Sequence, residues 1–141
     1  SDTLTLSAYM VSNDPSLSED YYDVSGVLQA NSGNRLAYVP ELSYVLGLDK
    51  VLSIFGMPGY VSVDYSYTGD RYTSQANDLK LPSYAISNMR VGVESGNRSM
   101  EVFISNLTDE NGYQSRYDDF GDIRRTQNRP RVIGLRFKYR Y

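Results

Sequence analysis

Apolar and polar residues alternate along six stretches of this chain, most sharply in the last. From Val132 to Tyr141, Ile133, Leu135, Phe137, Tyr139 and Tyr141 fall on one side of an extended strand, and Gly134, Arg136, Lys138 and Arg140 on the other. The first stretch sets Leu4, Leu6, Ala8 and Met10 against Thr5, Ser7 and Tyr9. After Pro40, Leu42, Tyr44, Leu46 and Leu48 oppose Ser43, Val45, Gly47 and Asp49. Val61, Val63, Tyr65 and Tyr67 then oppose Ser62, Asp64, Ser66 and Thr68. Ala85, Ser87, Met89, Val91 and Val93 face away from Ile86, Asn88, Arg90, Gly92 and Glu94, and Met100, Val102 and Ile104 from Glu101, Phe103 and Ser105. The pattern predicts six strands and no amphipathic helix. Polar stretches at 13–38, 70–82 and 108–129 alternate with turns expected within 50–58 and 95–98.

A strand with one greasy and one strongly cationic face suits a membrane β-barrel, one side meeting lipid and the other a watery lumen. Alternating long and short connections suit it too. Composition sharpens the choice without deciding it. The 141 residues have a mean hydropathy of -0.46. They contain no run of about 18 apolar residues, which excludes a transmembrane helix but not barrel strands. Fourteen tyrosines with no tryptophan fit interfacial aromatic girdles or, equally, a Tyr-rich soluble sheet. The alternative is therefore a soluble β-sandwich or small barrel that binds a ligand or partner, its apolar face covered by another layer.

The absence of Cys and His removes thiol and Ser/His chemistry and the common zinc sites. With no metal motif beside the carboxylates, the expectation is a protein that is not an enzyme and has no cofactor or bound metal. A net charge of -3 with dispersed Lys and Arg gives no support to nucleic-acid binding. Ser1-Asp2-Thr3 begins without a basic or apolar export signal, so the expectation is an exported chain that has lost one, or a portion of a longer protein.

Four segments carry a family resemblance. Gly33-Asn34-Arg35-Leu36-Ala37-Tyr38-Val39-Pro40 resembles the G-x-x-L-x-x-V-P segment of TonB-dependent receptors. Asp64 to Tyr72, followed by Asn77 and by Leu81-Pro82-Ser83-Tyr84, resembles the next stretch of that family. Val102 to Glu110 is similar to its v-x-N-L-x-D strand end, and Arg129-Pro130-Arg131 to the x-P-R entry of its closing strand. Tyr141 stands where the family usually ends in Phe. The resemblance implies the last six strands of an antiparallel transmembrane barrel of about 22 strands. It implies an outer-membrane location of the Gram-negative type and uptake of a scarce nutrient such as a siderophore, cobalamin or carbohydrate. The plug and the TonB-contacting segment are not in this sequence. The implied partners are outer-membrane lipid, the remaining strands and plug, the TonB complex acting through that plug, and the barrel-assembly machinery. The long stretches become extracellular loops and the short turns periplasmic ones.

Within that frame, Arg136, Lys138 and Arg140 are candidate lumen cations facing Glu101, Glu94 and Asp64, either solvated or holding wall to plug. Tyr21, Tyr22, Tyr72, Tyr113 and Tyr117, with Arg124 and Arg125, are candidate ligand contacts, since aromatics stack on sugars and siderophores and arginines grip anions. Arg129 and Arg131 share that basic stretch, and a basic rim near charged headgroups is the blander reading. Asp109, Glu110, Asp118, Asp119 and Asp122 offer oxygens to Ca²⁺, but their spacing does not fit an EF-hand, which favours a solvated acidic loop. Phe137, Tyr139 and Tyr141 are the candidate assembly signal.

Overall fold

The computed structural model describes residues 3–119 and 122–141, the side chains of Asp118 and Asp119 excepted. The described residues form strands β1 (Thr3–Ser12), β2 (Tyr21–Tyr22), β3 (Leu28–Ala30), β4 (Leu42–Ile54), β5 (Met57–Thr68), β6 (Arg71–Tyr72), β7 (Lys80–Leu81), β8 (Tyr84–Ser95), β9 (Arg98–Ser105), β10 (Tyr113–Asp119), β11 (Asp122–Gln127) and β12 (Val132–Tyr139). Six of them make one antiparallel sheet in the order β1-β4-β5-β8-β9-β12. These are the six expected strands, each beside its neighbour in the chain.

Register carries the alternation across the whole sheet. Leu135 lies opposite Val102, Val102 opposite Val91, Val91 opposite Val61, Val61 opposite Lys50, and Lys50 opposite Leu4. The next outward row is Ile133, Ile104, Met89, Val63, Leu48 and Leu6. This apolar face is uncovered: Leu6 is 70% exposed, Leu135 67% and Phe137 64%. Among the described residues, the only buried hydrophobic ones are Ala30 and Leu81, both in loop hairpins. A soluble sandwich would bury this face against a second layer. None is present among the described residues.

The apolar band has the height a bilayer requires. From Met57 to Tyr67 the outward residues of β5 span roughly 33 Å along the strand, or about 25 Å at the usual barrel tilt. Aromatic rings mark both ends. Tyr44 stacks with Tyr67 at 4.9 Å and with Tyr65 at 6.2 Å near the loops, and Tyr139 meets Tyr141 edge-on at 5.3 Å near the turns.

The structure corrects several sequence expectations. The turn sought within 50–58 shrinks to Phe55-Gly56, with strand on both sides. Both residues have positive φ (52° and 77°), the geometry of a two-residue type I′ hairpin. The 95–98 turn is Gly96-Asn97, with φ of 58° at Gly96. The closing strand ends at Tyr139 rather than Tyr141, although Arg140 still donates its N–H to the Asn97 carbonyl at 2.9 Å. The three long stretches also contain structure. Each folds a small hairpin, β2–β3, β6–β7 or β10–β11, whose ladder has no wide apolar face to advertise it. All three lie at one end of the sheet and both tight turns at the other.

Candidate functional site

The polar face of the sheet is held by cross-strand pairs. Arg136 Nη1 donates to Glu101 Oε1 at 2.8 Å, across a directly opposed pair of β12 and β9. The other Glu101 oxygen accepts a hydrogen bond from the Tyr60 hydroxyl on β5. The Glu101 side chain is only 12% exposed, so its charge is largely withdrawn from water and balanced by these two donors. Arg90 donates to the buried Ser62 at 3.0 Å. Asp64 does not join the cationic row as expected; it accepts from Asn88 Nδ2 at 2.6 Å. The reason is register, which sets Asn88 directly opposite Asp64. Asp64, Arg90, Glu101 and Arg136 nevertheless line one open recess. Lys138 and Arg140 line another with Glu94.

Glycines let rings lie flat on this face. A Cβ at Gly92 would approach the Tyr60 ring to 2.6 Å, and one at Gly134 would overlap the Phe103 ring. Arg136 lies 5.6 Å over that same Phe103 ring.

At the loop end, residues of the resemblance segments knit the connections together. Arg35 donates to the Asp70 carboxylate at 2.9 Å and to the Asp70 carbonyl at 2.7 Å, and lies 5.5 Å over the Tyr72 ring. Its Nε is 3.4 Å from Glu41, at ion-pair distance but without hydrogen-bond alignment. Asn77 accepts the Arg35 N–H at 2.7 Å and donates to the Arg35 carbonyl at 2.8 Å, acting as a backbone partner between two loops. Lys80 hydrogen-bonds Asp70 at 3.0 Å and draws its carboxyl below the usual range; partial burial opposes this, and Arg35 adds to the lowering. Asn106, 3% exposed at φ 53°, donates to the carbonyls of Glu110 (2.9 Å) and Arg129 (3.0 Å) and accepts the Glu110 N–H. Asp109 accepts the Arg131 N–H at 2.8 Å, joining the N-L-x-D and P-R segments in one clasp.

The predicted loop contacts scatter among three hairpins. Tyr21 and Tyr22 are half exposed on β2. Tyr72 lies under Arg35 and so belongs to the knot between loops. Tyr113, Tyr117, Arg124 and Arg125 all lie on β10–β11 but in two pairs, Tyr117 opposite Arg124 and Arg125 5.6 Å over Tyr113, with the consecutive Arg124 and Arg125 on opposite faces. Arg124 is also 3.4 Å from Asp122. The side chains of Asp118 and Asp119 lie outside the described residues. Among the described residues no group of three or more acidic side chains is placed to hold a metal ion. The loop-tying residues Arg35, Asp70, Arg71, Asn77 and Asn106 were missed as site residues, although they stand inside the segments that carry the resemblance.

A lone antiparallel sheet with an uncovered apolar band, girdled by aromatics and backed by a polar face, is a piece of transmembrane β-barrel wall. Residues 3–107 match the family described as TonB dependent receptor-like, beta-barrel, and the chain belongs to that family. Two solved structures share the fold. The siderophore receptor PiuA from Acinetobacter baumannii is 20% identical with a TM-score of 0.79, the match covering 98% of this chain and 20% of that one. The ferric yersiniabactin uptake receptor FyuA from Yersinia pestis is 19% identical with a TM-score of 0.71, covering 77% of this chain and 17% of that one. This chain therefore spans about a fifth of the length of each receptor. No curated protein matches it by sequence.

Proposed function

We propose that this chain is the C-terminal six-stranded portion of the barrel of an outer-membrane active transporter. The transporter takes up a scarce nutrient with energy from the TonB complex, delivered through a plug outside this sequence. The observation that carries the reading is the uncovered apolar face of a sheet whose edge strands β1 and β12 each have one partner. Lipid-embedded backbone needs pairing on both sides, so further strands of the same receptor close the wall. The polar face then lines the lumen, and Arg136, Lys138, Arg140, Glu101 and Asp64 meet plug, water or passing ligand. Phe137, Tyr139 and Tyr141 serve as the signal read by the barrel-assembly machinery. Binding and passage, rather than catalysis, are the task.

A ferric siderophore is the first substrate class to test, since one similar receptor is a siderophore receptor by name and the other a ferric yersiniabactin uptake receptor; cobalamin and carbohydrate follow. The decisive experiment takes the protein from membranes in mild detergent and measures the intact mass of every co-purifying chain. A longer polypeptide, or a companion carrying a plug and further strands, is expected. TonB-dependent uptake of labelled ferric siderophore by that receptor then tests transport. A lone 16.0 kDa species that stays soluble after detergent removal would overturn the reading.

A further inference from the structure

The β10–β11 hairpin is docked onto the neighbouring loop at its base. Arg71 on β6 is 5% exposed, and its Nη2 donates to the carbonyls of Tyr113 (2.8 Å) and Gln114 (3.2 Å) at the start of β10. Its guanidinium lies 5.5 Å over the Tyr84 ring. That ring also rests on Gly112, just before the hairpin, where any Cβ would overlap it. Asn128 closes the other side, accepting the Gly112 N–H at 2.6 Å and donating its own N–H to the Gly112 carbonyl at 3.0 Å.

A guanidinium withdrawn from water normally faces a carboxylate. Here backbone carbonyls and a ring take that place, and Nη1 has no acceptor among the described residues. The contact joins two connections 42 residues apart in sequence, and the Arg71 end of it grips main chain rather than side chain. It therefore fixes where the hairpin stands, whatever side chains the hairpin carries.

We propose that Arg71, Tyr84 and Gly112 form a latch that seats the β10–β11 hairpin, making Arg71 a positioning residue for the loop contacts Tyr113, Tyr117, Arg124 and Arg125. The role in ligand contact rests on the transporter reading, but the latch does not. It is read from the hairpin itself, without ligand or energy source, so its failure is distinguishable from failure of that reading.

The test is amide hydrogen exchange in the detergent-solubilised receptor that contains this chain. Arg71→Met and Gly112→Ala, one removing the charge and the other the seat, should each speed exchange across 113–117 and 123–127 at least tenfold. Exchange in β8, β9 and β12 should stay as in the unaltered receptor. Arg71→Lys should restore part of the protection, since an ammonium reaches a carbonyl but cannot lie as a plane over Tyr84. Unchanged hairpin exchange in both variants overturns the latch, and so does equal loss across the sheet strands. Should neither variant fold, arginine modification of the unaltered receptor by phenylglyoxal decides. Arg71 should remain unmodified after Arg124 and Arg131 have reacted, and reaction of all three at one rate overturns the proposal.

Discussion

Leu135→Arg tests the lipid assignment of the apolar face most directly. Leu135 lies near the middle of β12, opposite Val102, in a row that continues through Val91 and Val61. It is 67% exposed in this sheet, so the chain's own atoms cover little of it, and on the transporter reading proposed above lipid covers much of the rest. An arginine at the bilayer midplane of a barrel costs about 2–4 kcal/mol. At about 1.4 kcal/mol per tenfold, that lowers the folded-to-unfolded ratio roughly 30- to 700-fold. Ser99→Arg is the control: Ser99 lies opposite Lys138 on the polar face and lines the recess with Glu94, where water is available. The assay is the denaturant midpoint of the receptor folded in lipid vesicles. A large fall for Leu135→Arg with little change for Ser99→Arg is expected. Equal midpoints for Leu135→Arg and the unaltered receptor would refute the outward assignment of this face.

Three further outcomes follow from the polar face and the loops. Glu101→Gln should destabilise the barrel by about 1–2 kcal/mol, between the limits for exposed and buried pairs, because Glu101 is mostly covered while Arg136 is half exposed. A double-mutant cycle with Arg136→Met measures the coupling, and a coupling of zero would show the pair to be incidental. Gly134→Val should cost about 1–3 kcal/mol by driving a side chain into the Phe103 ring, and Phe103→Ala in the same chain should recover much of it; strict additivity would refute the steric cause. Asp70 has a folded pKa below its ordinary 3.8, so its pairing stabilises the loops above that value and is lost as pH falls through the lower folded value. Proteolysis of residues 69–83 should therefore quicken below about pH 4. Asp70→Asn should remove that dependence, and an unchanged acid response in this variant would assign it to another group.

The sheet was legible because period-two alternation survives wherever one face meets lipid and the other water. Ile133, Leu135 and Phe137 face outward, and Arg136 meets Glu101, as the alternation expected. The loop hairpins were hidden because their strands carry no such contrast; β11, Asp122–Gln127, is exposed throughout. Alternation put Asp64 on the face of the β12 cations, where it shares a recess with Arg136, but alternation does not give register, which set Asn88 against it as its hydrogen-bond partner. Arg35 and Arg71 were overlooked because a loop cation is ordinarily solvated. Each is instead withdrawn over a ring and bound to backbone carbonyls, an arrangement that spacing alone does not announce.

The two halves of the structure are held by different forces, and the placement of polar side chains follows from that. The sheet contributes little interior of its own, so on the proposed reading its stability is conditional on lipid against one face and neighbouring strands at β1 and β12. The loops stand in water, where no bilayer covers them, and Ala30 and Leu81 are their only buried hydrophobic residues among those described. Burial of apolar area cannot order connections of this length, so another source must offset the entropy of fixing them. Side chains that bond to main chain supply it. Asn77 ties residue 35, Asn106 ties 110 and 129, Asn128 ties 110 and 112, and Arg71 ties 113 and 114. Each such bond contributes about 1 kcal/mol net, and more when the donor is charged. Asn106, Asn128 and Arg71 place these bonds at the base of the β10–β11 hairpin, while Tyr21, Tyr22 and Tyr117 stay half exposed on the loop hairpins.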